Sequence, residues 1–255
     1  VSIHTCPTRN AGYLTMTAPY TKRTETRTKL GLIALQSDRT IEDDFRRLMP
    51  ADISMLVSRV PSGTEVTRDT LAEMESALSG AASLFPRGHV FDVVGYGCTS
   101  GTAQIGAGAI AERVRVGTPA RHVSEPVSAL IAACAHLDLD RIAIVSPYVA
   151  SVSDQLRDVL RAAKIETPHF ISFDEANEEA VTQIDDASII AATKSVMDGA
   201  DVQAVFLSCT NLRTLDVIAP LQAELGVPVL SSNLVLAWHM LRLSGVKVTS
   251  PHDLF

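Results

Sequence analysis

At 255 residues, with 46% hydrophobic and 20% charged side chains, the chain can bury the core of one large domain or of two ordinary ones. A formal net charge of −7, an aromatic content of 5% and no basic cluster beyond TKRTETRTK speak against nucleic acid and anionic membranes as partners. No apolar run is long enough to span a bilayer and no apolar signal core opens the sequence, so a cytoplasmic location is expected.

Residues 1–28 are rich in Thr and lack a clear period, which reads as an extended arm. From Lys29 the pattern becomes regular. KLGLIAL reads as a buried parallel strand, and DRTIEDDFRRLM follows with Ile41, Phe45 and Leu48 at helical spacing. DISMLVSRV is the next strand, RDTLAEMESALSGAASLF a long amphipathic helix, FDVVGYG a strand ending at Cys98, and GAGAIAERVRV a helix. TPARHVSEPVSAL reads as short strand, turn and helix. RIAIVSPY then starts a second round: VSDQLRDVLRAA as helix, HFISF as strand, DDASIIAATKSVMDG as helix, and QAVFLS as a strand ending at Cys209. VPVLSSNLVLAW closes it with a short strand, a turn and a helix. Strands alternating with helices of this length predict parallel βαβ units.

The two rounds share a register. Lys29 and Arg141 lie 112 positions apart, Cys98 and Cys209 lie 111 apart, and the strand–turn–helix stretches at the ends correspond. This predicts an internal duplication: an α/β fold of two similar, Rossmann-like parallel-sheet domains related by pseudo-twofold symmetry. The expected division is 29–122 plus 227–255 for the first domain and 123–226 for the second. Parallel sheets bind ligands beyond the carboxyl ends of their strands. Two halves facing each other would therefore bring both Cys-Thr turns, GCTSG and SCTN, into one cleft.

The remaining chemistry-bearing residues are less patterned. Cys6, Cys98, Cys134 and Cys209 form no CxxC pair, so neither a zinc knuckle nor a disulfide framework is suggested. Cys134 lies in an apolar helix and reads as packing; Cys6 lies in the arm. The seven histidines show no metal-ligand spacing, and His122, near a strand end, is the one to watch. GAGAIAE lacks the GxGxxG pattern, which argues against a dinucleotide. Asp38 reads either as the helix cap of RTIEDDF or as a cleft residue, and Tyr148 either as a strand-end cap or as a functional group. Ser232 and Asn233, at the last strand end, are outer candidates.

On GYGCTSG, LSCTN, IAIVSPY and LQSDRTIEDDF, the chain resembles the aspartate/glutamate racemase superfamily, and within it the maleate cis–trans isomerase and arylmalonate decarboxylase branch. The resemblance extends to ectoine-utilisation members and covers roughly residues 29–240. It implies two α/β halves around one site and an isomerase or racemase that needs neither metal nor another cofactor; the alternatives are a non-catalytic small-carboxylate binding protein and an arylmalonate-type decarboxylase. It further implies a small carboxylate or amino-acid-like substrate and a homo-oligomer, expected to be a dimer. Cys98 and Cys209 would be catalytic, with Cys98 as nucleophile or base and Cys209 as the opposing acid. A thiolate is the reactive form, its pKa falls at a helix N-terminus, and Cys98 and Cys209 each precede a predicted helix. Thr99, Ser100, Thr210 and Asn211 would donate to a carboxylate or an enediolate, and Ser37, Asp38 and Tyr148 would contact substrate. Decarboxylases of this branch carry glycine in place of the first cysteine, so Cys98 argues for isomerisation. Maleate isomerases commonly place PSSN where this chain has LQSD; an ionised Asp38 cannot donate to a carboxylate but can hold a substrate ammonium.

Overall fold

The computed structural model describes residues 18–22, 27–65 and 67–246. Cys6 and most of the predicted arm lie outside the described residues. The first half runs β1 (Lys29–Leu35), α1 (Ile41–Leu48), β2 (Ser54–Val60), α2 (Arg68–Ser83), β3 (Phe91–Gly97), the short α3 (Thr99–Ile105), α4 (Ala107–Gly117), β4 (Ala120–Ser124) and α5 (Pro126–Leu137). The second runs β5 (Ile142–Ser146), α6 (Ala150–Ala162), β6 (Phe170–Ser172), the single turn α7 (Glu178–Val181), α8 (Asp186–Met197), β7 (Ala204–Leu207), α9 (Leu215–Leu225), β8 (Val229–Ser231) and α10 (Ser232–Leu243).

These strands form two four-stranded sheets, ordered β2-β1-β3-β4 and β6-β5-β7-β8. Every neighbouring pair is parallel. The order is the same in both halves, which bears out the α/β fold of two similar parallel sheets. β1, β5 and β7 are apolar nearly end to end because helices cover both of their faces.

The two halves exchange contacts through their last helices. α10 seals one face of the first sheet: Leu236, Ala237, Met240 and Leu241 pack with Leu30, Leu32 and Val93 and with Ile41 and Phe45 of α1. The close approach requires Gly95 on β3, where a Cβ would lie 2.5 Å from the Met240 sulfur. β8, in the same 227–255 segment, instead hydrogen-bonds β7 in the second sheet. A second apolar cluster is continuous from Ile33 and Tyr96 through Cys98, Tyr148 and Cys209 to Val205 and Phe206. The core thus runs through the junction of the halves. The carboxyl ends of the four inner strands, β1, β3, β5 and β7, deliver Asp38, Cys98, Tyr148 and Cys209 to that junction.

Candidate active site

β3 delivers Cys98 to the N-cap of α3, where its Sγ accepts from the Gly101 N–H at 3.1 Å. The sulfur stands where a Ser or Asp oxygen usually caps a helix. Gly101 makes the arrangement possible, since a Cβ there would sit 2.6 Å from the Tyr96 hydroxyl and 2.9 Å from the Cys98 sulfur. The Thr102 hydroxyl donates to the Cys98 carbonyl at 2.7 Å and pins the turn.

Cys209 is held differently. The expectation that it directly precedes a helix is corrected: α9 begins only at Leu215, and residues 208–214 form an irregular turn. Cys209 has φ 111°, a region that L-residues with a Cβ rarely occupy and that costs on the order of 1–3 kcal/mol. Its surroundings fix it there. The Cys209 N–H donates to Ser232 Oγ at 2.9 Å, and its Sγ accepts from Asn211 N–H at 3.3 Å. The Tyr148 hydroxyl lies 3.0 Å from Sγ and donates to Glu178 Oε1 at 2.8 Å. Tyr148 has one hydroxyl proton. Because Glu178 takes it, the Cys209 S–H is the donor in the contact with Tyr148. The result is a chain from thiol to phenol to carboxylate.

Two bridges tie the cysteine turns together. The Thr99 hydroxyl is 2.7 Å from Ser232 Oγ, the oxygen that accepts the Cys209 N–H. The Thr210 hydroxyl donates to the Gly97 carbonyl, one residue before Cys98, at 3.2 Å. Asn233 adds a brace from α10, donating to the Thr210 carbonyl at 2.8 Å and to Asp44 Oδ2 at 2.7 Å. Ser232 and Asn233 are thus structural links of the site.

The structure brings most of the sequence-predicted residues together. Asp38 fills the first of its two expected roles, at the start of the helix. Its Oδ1 accepts from the N–H groups of Thr40 and Ile41 at 2.8 Å each and caps α1. Its Oδ2 is buried and has no hydrogen-bond partner. Asn211 is fully committed within the protein: Oδ1 accepts from Arg39 N–H at 2.9 Å, and Nδ2 donates to Glu178 Oε2 at 2.8 Å and to the Glu178 carbonyl at 3.2 Å. It positions other groups and has no donor left over. Thr99 and Thr210 are likewise engaged, Ser100 is buried beside them, and Ser37 shares a hydrogen bond with Ser62 at 3.0 Å. His122 is exposed on β4, away from the cluster. Cys134 is buried in α5 as packing, as expected.

Sequence reasoning missed Glu178, Tyr96 and Arg59. Glu178, 4% exposed, is the second carboxylate of the site and comes from the turn before α8. Tyr96 reads as strand core, yet its hydroxyl lies next to the Cys98 thiol. Arg59 donates to the carbonyls of Leu35 and Asp38 at 2.7 and 2.8 Å and so props the Asp38 loop.

Electrostatics runs against the expectation that a helix N-terminus lowers the thiol pKa. Burial pushes the Cys98 thiol up to about 12, and the nearby Glu178 and Asp38 add to the shift, against the opposing Gly101 N–H. Burial, followed by Glu178, raises Cys209 well above the ordinary thiol range. Both cysteines therefore rest as neutral thiols. Burial also raises Asp38 and Glu178. The site is closed, with Cys98 and Cys209 only 5% and 3% exposed. Part of the closure is a latch: the Glu178 N–H donates to the Thr64 carbonyl at 3.1 Å, and Glu65 forms an antiparallel bridge with Asn177.

Known proteins share this architecture. The chain is 27% identical over 220 residues to an arylmalonate decarboxylase of Bordetella bronchiseptica, covering 85% of this chain and 90% of that protein. It is 26% identical over 239 residues to a maleate isomerase of Nocardia farcinica, covering 88% and 92%. Among solved structures, the maleate isomerase of Pseudomonas putida with maleate superposes with a TM-score of 0.79 at 24% identity, over 89% of this chain and 95% of that one. A Nocardia farcinica maleate cis–trans isomerase variant with a covalently bound succinylcysteine intermediate superposes with a TM-score of 0.77 at 23% identity, over 88% and 95%. The family model described as arylmalonate decarboxylase matches residues 110–253, more than half of the sequence and including the Cys209 turn, and the chain belongs to that family.

Proposed function

We propose that the chain is a cofactor-independent isomerase that works on a small carboxylate from two sides, with Cys98 as nucleophile or base and Cys209 as acid. The observation that carries this reading is the pairing of two cysteine turns at equivalent strand ends, joined through Thr99, Ser232 and the Cys209 N–H. Relatives that are maleate isomerases, one of them captured with a covalent cysteine intermediate, support the reaction class.

In that chemistry the Cys98 thiol first releases its proton to solvent water, and the resulting thiolate adds to one alkene carbon. A C–S bond forms while Cys209 passes its proton to the neighbouring carbon. The former double bond is then free to rotate, and elimination returns the proton to Cys209 and the thiolate to Cys98. On an amino acid the same pair would remove and return the proton on the alpha carbon. The environments suit these parts: the backbone N–H at Cys98 favours a sulfur anion, and the S–H of Cys209 is backed by Tyr148 and Glu178.

The test replaces each cysteine by Ala and follows turnover and solvent-deuterium incorporation on maleate, aspartate, glutamate and diaminobutyrate derivatives. Loss of turnover in both single variants is expected; full activity in both refutes the mechanism. A decarboxylase is the second reading, favoured by the family model and the Bordetella relative. It requires release of carbon dioxide from a substituted malonate, and Cys98, where the decarboxylases resemble this chain but carry glycine, weighs against it. A catalytic thiol pair needs a reducing compartment, which suits a cytoplasmic enzyme, and the family resemblance suggests a homodimer; fractionation and light scattering test both.

A further inference from the structure

We propose that Tyr96 is the second hydrogen-bond donor to the Cys98 sulfur: when Cys98 ionises, the buried phenol turns its hydroxyl from the Met74 sulfur to the new thiolate and holds it for attack. The inference rests on the isomerase reading for the use of that thiolate and adds a residue to its machinery. Tyr96 stands on β3, two positions before Cys98, and its side chain is fully buried. Met74 approaches it from α2 and Gly101 from α3. A Cβ at Gly101 would lie 2.6 Å from the Tyr96 hydroxyl, 2.9 Å from the Cys98 sulfur and 3.2 Å from the Met74 methyl group. All three side chains thus crowd one point, and glycine leaves them room to meet.

Three observations carry this. The first is that the phenol is under-used. A buried tyrosine hydroxyl normally finds a good acceptor, yet Tyr96 donates to a thioether sulfur at 3.8 Å, a weak one. The second is that a better acceptor comes within reach. The Cys98 sulfur lies beside the same hydroxyl, and a hydrogen bond to an anion is roughly twice as strong as one between neutral groups. The third is that Cys98 needs a donor. Its sulfur accepts one backbone N–H, from Gly101, while burial and the charges of Glu178 and Asp38 oppose ionisation. Tyr148, the other phenol at the thiols, spends its one proton on Glu178. Burial, with the Cys98 charge adding to it, keeps Tyr96 protonated. Tyr96 therefore donates a hydrogen bond and does not take up the proton. Cys98 releases its proton to water, and the O–H bond of Tyr96 stays intact. Each half of the fold gives its cysteine a phenol: Tyr96 from within β3, and Tyr148 from just past β5.

The experiment alkylates the full chain with excess iodoacetamide at about pH 9 and follows Cys98 and Cys209 in the same sample by peptide mass spectrometry. The quantity read is the Cys98 rate divided by the Cys209 rate. Both thiols sit in one closed site, so the ratio cancels changes in access. Below its pKa a thiol reacts in proportion to its thiolate fraction. Tyr96→Phe removes the hydroxyl alone and should lower the ratio about ten-fold, the scale of one hydrogen bond to a charged group. Met74→Leu, a swap of similar volume, frees the hydroxyl from its resting acceptor and should raise the ratio about two-fold or more. In the double variant the effect of Met74→Leu should vanish. A Tyr96→Phe ratio within about two-fold of the parent, a Met74→Leu ratio at or below the parent, or a Met74→Leu effect that survives in the double variant overturns the proposal. Circular dichroism checks each variant; if Met74→Leu does not fold, Tyr96→Phe decides alone. Alkylation needs no substrate, so the two readings separate. The expected ratios in a chain without turnover on any small carboxylate sink the isomerase reading and leave Tyr96 as the Cys98 donor, whereas turnover with unchanged ratios does the reverse.

Discussion

The strained turn at Cys209 gives a prediction whose size follows from geometry. Replacing Cys209 by Ala or by Gly removes the thiol and its hydrogen bonds in both cases, so the two variants differ only in a Cβ. In a relaxed, buried helical position, Ala to Gly costs about 0.5–1 kcal/mol in backbone freedom and about 0.8 kcal/mol for the lost buried methyl group. Cys134, 1% exposed within α5, is such a position and serves as the internal reference. At Cys209 the same change also releases a backbone held at φ 111°, worth about 1–3 kcal/mol. The Ala-to-Gly penalty at position 209 should therefore be about 1–3 kcal/mol smaller than at 134, which puts Cys209→Gly between about 0.8 kcal/mol less stable and about 1.7 kcal/mol more stable than Cys209→Ala. Urea unfolding of the four variants, compared at equal m-values, measures this directly. Penalties that agree within about 0.5 kcal/mol at the two positions would refute the assignment of strain to the Cys209 turn.

The remaining predictions probe the thiols, the cap and the acids. With both active-site sulfurs buried and neutral, a thiol reagent at pH 8 should label the native, ligand-free chain at Cys98 and Cys209 far more slowly than the unfolded chain, in which all four cysteines react; equal rates would show that the closed site is wrong. Gly101→Ala forces a Cβ against the Tyr96 hydroxyl and the Cys98 sulfur, so it should destabilise by about 1–3 kcal/mol and abolish turnover, as read by melting and by product formation. Asp44, 5% exposed, is raised by burial from 3.8 to about 6. The folded chain thus binds this proton more tightly than the unfolded chain, and the associated stability is present below about pH 4 and lost as pH rises through 6. Asp44→Asn removes that loss, so its advantage over the parent should grow from near zero at pH 4 to on the order of 3 kcal/mol at pH 7. Taking the difference between variant and parent cancels His239, whose pKa is lowered to about 4 by burial and whose linkage has the opposite sign.

Much of this could be read from the chain because the informative signals are local. A buried parallel strand announces itself as a run such as IALQSD or VVGYGC, and the duplication is a matter of counting. Asp38 was legible because a cap before RTIEDDF has a local signature, and its free oxygen follows from the loop that presents it. Glu178 was not legible. In FDEANEEA it is one of four acidic residues, and only the packing of that turn against Tyr148, Asn211 and Thr64 singles it out. Tyr96 was hidden for the opposite reason: an aromatic at a strand end reads as core, which it also is. The thiol states were misread because proximity to a helix N-terminus was weighed without the burial, and without the two carboxylates that only tertiary structure brings near.

The departure of the two halves from each other carries chemical meaning. A duplicated fold could have supplied two equal thiols, each capping a helix, as suits an enzyme that draws a proton from either face of one carbon. Here one cysteine keeps the cap, with a backbone N–H at its sulfur and the Tyr96 hydroxyl beside it. The other has an irregular turn in place of the helix, sits at a strained φ, keeps one backbone N–H at its sulfur from Asn211, and gains a phenol backed by a carboxylate. Each sulfur thus accepts one backbone N–H, and the difference lies in the Cys209 thiol, which donates toward Tyr148 and Glu178 and is held as an acid. Under the proposed isomerase chemistry, unequal environments of this kind would divide the labour between attack at one carbon and protonation at the next. They fit addition–rotation–elimination better than symmetric proton exchange. Tyr148→Phe tests this division: because the C–S bond forms as Cys209 delivers its proton, the variant should lose adduct formation and turnover together, while a thiol reagent labels Cys98 at the parent rate. A change in the Cys98 labelling rate as large as the loss of turnover would show that Tyr148 serves both thiols alike.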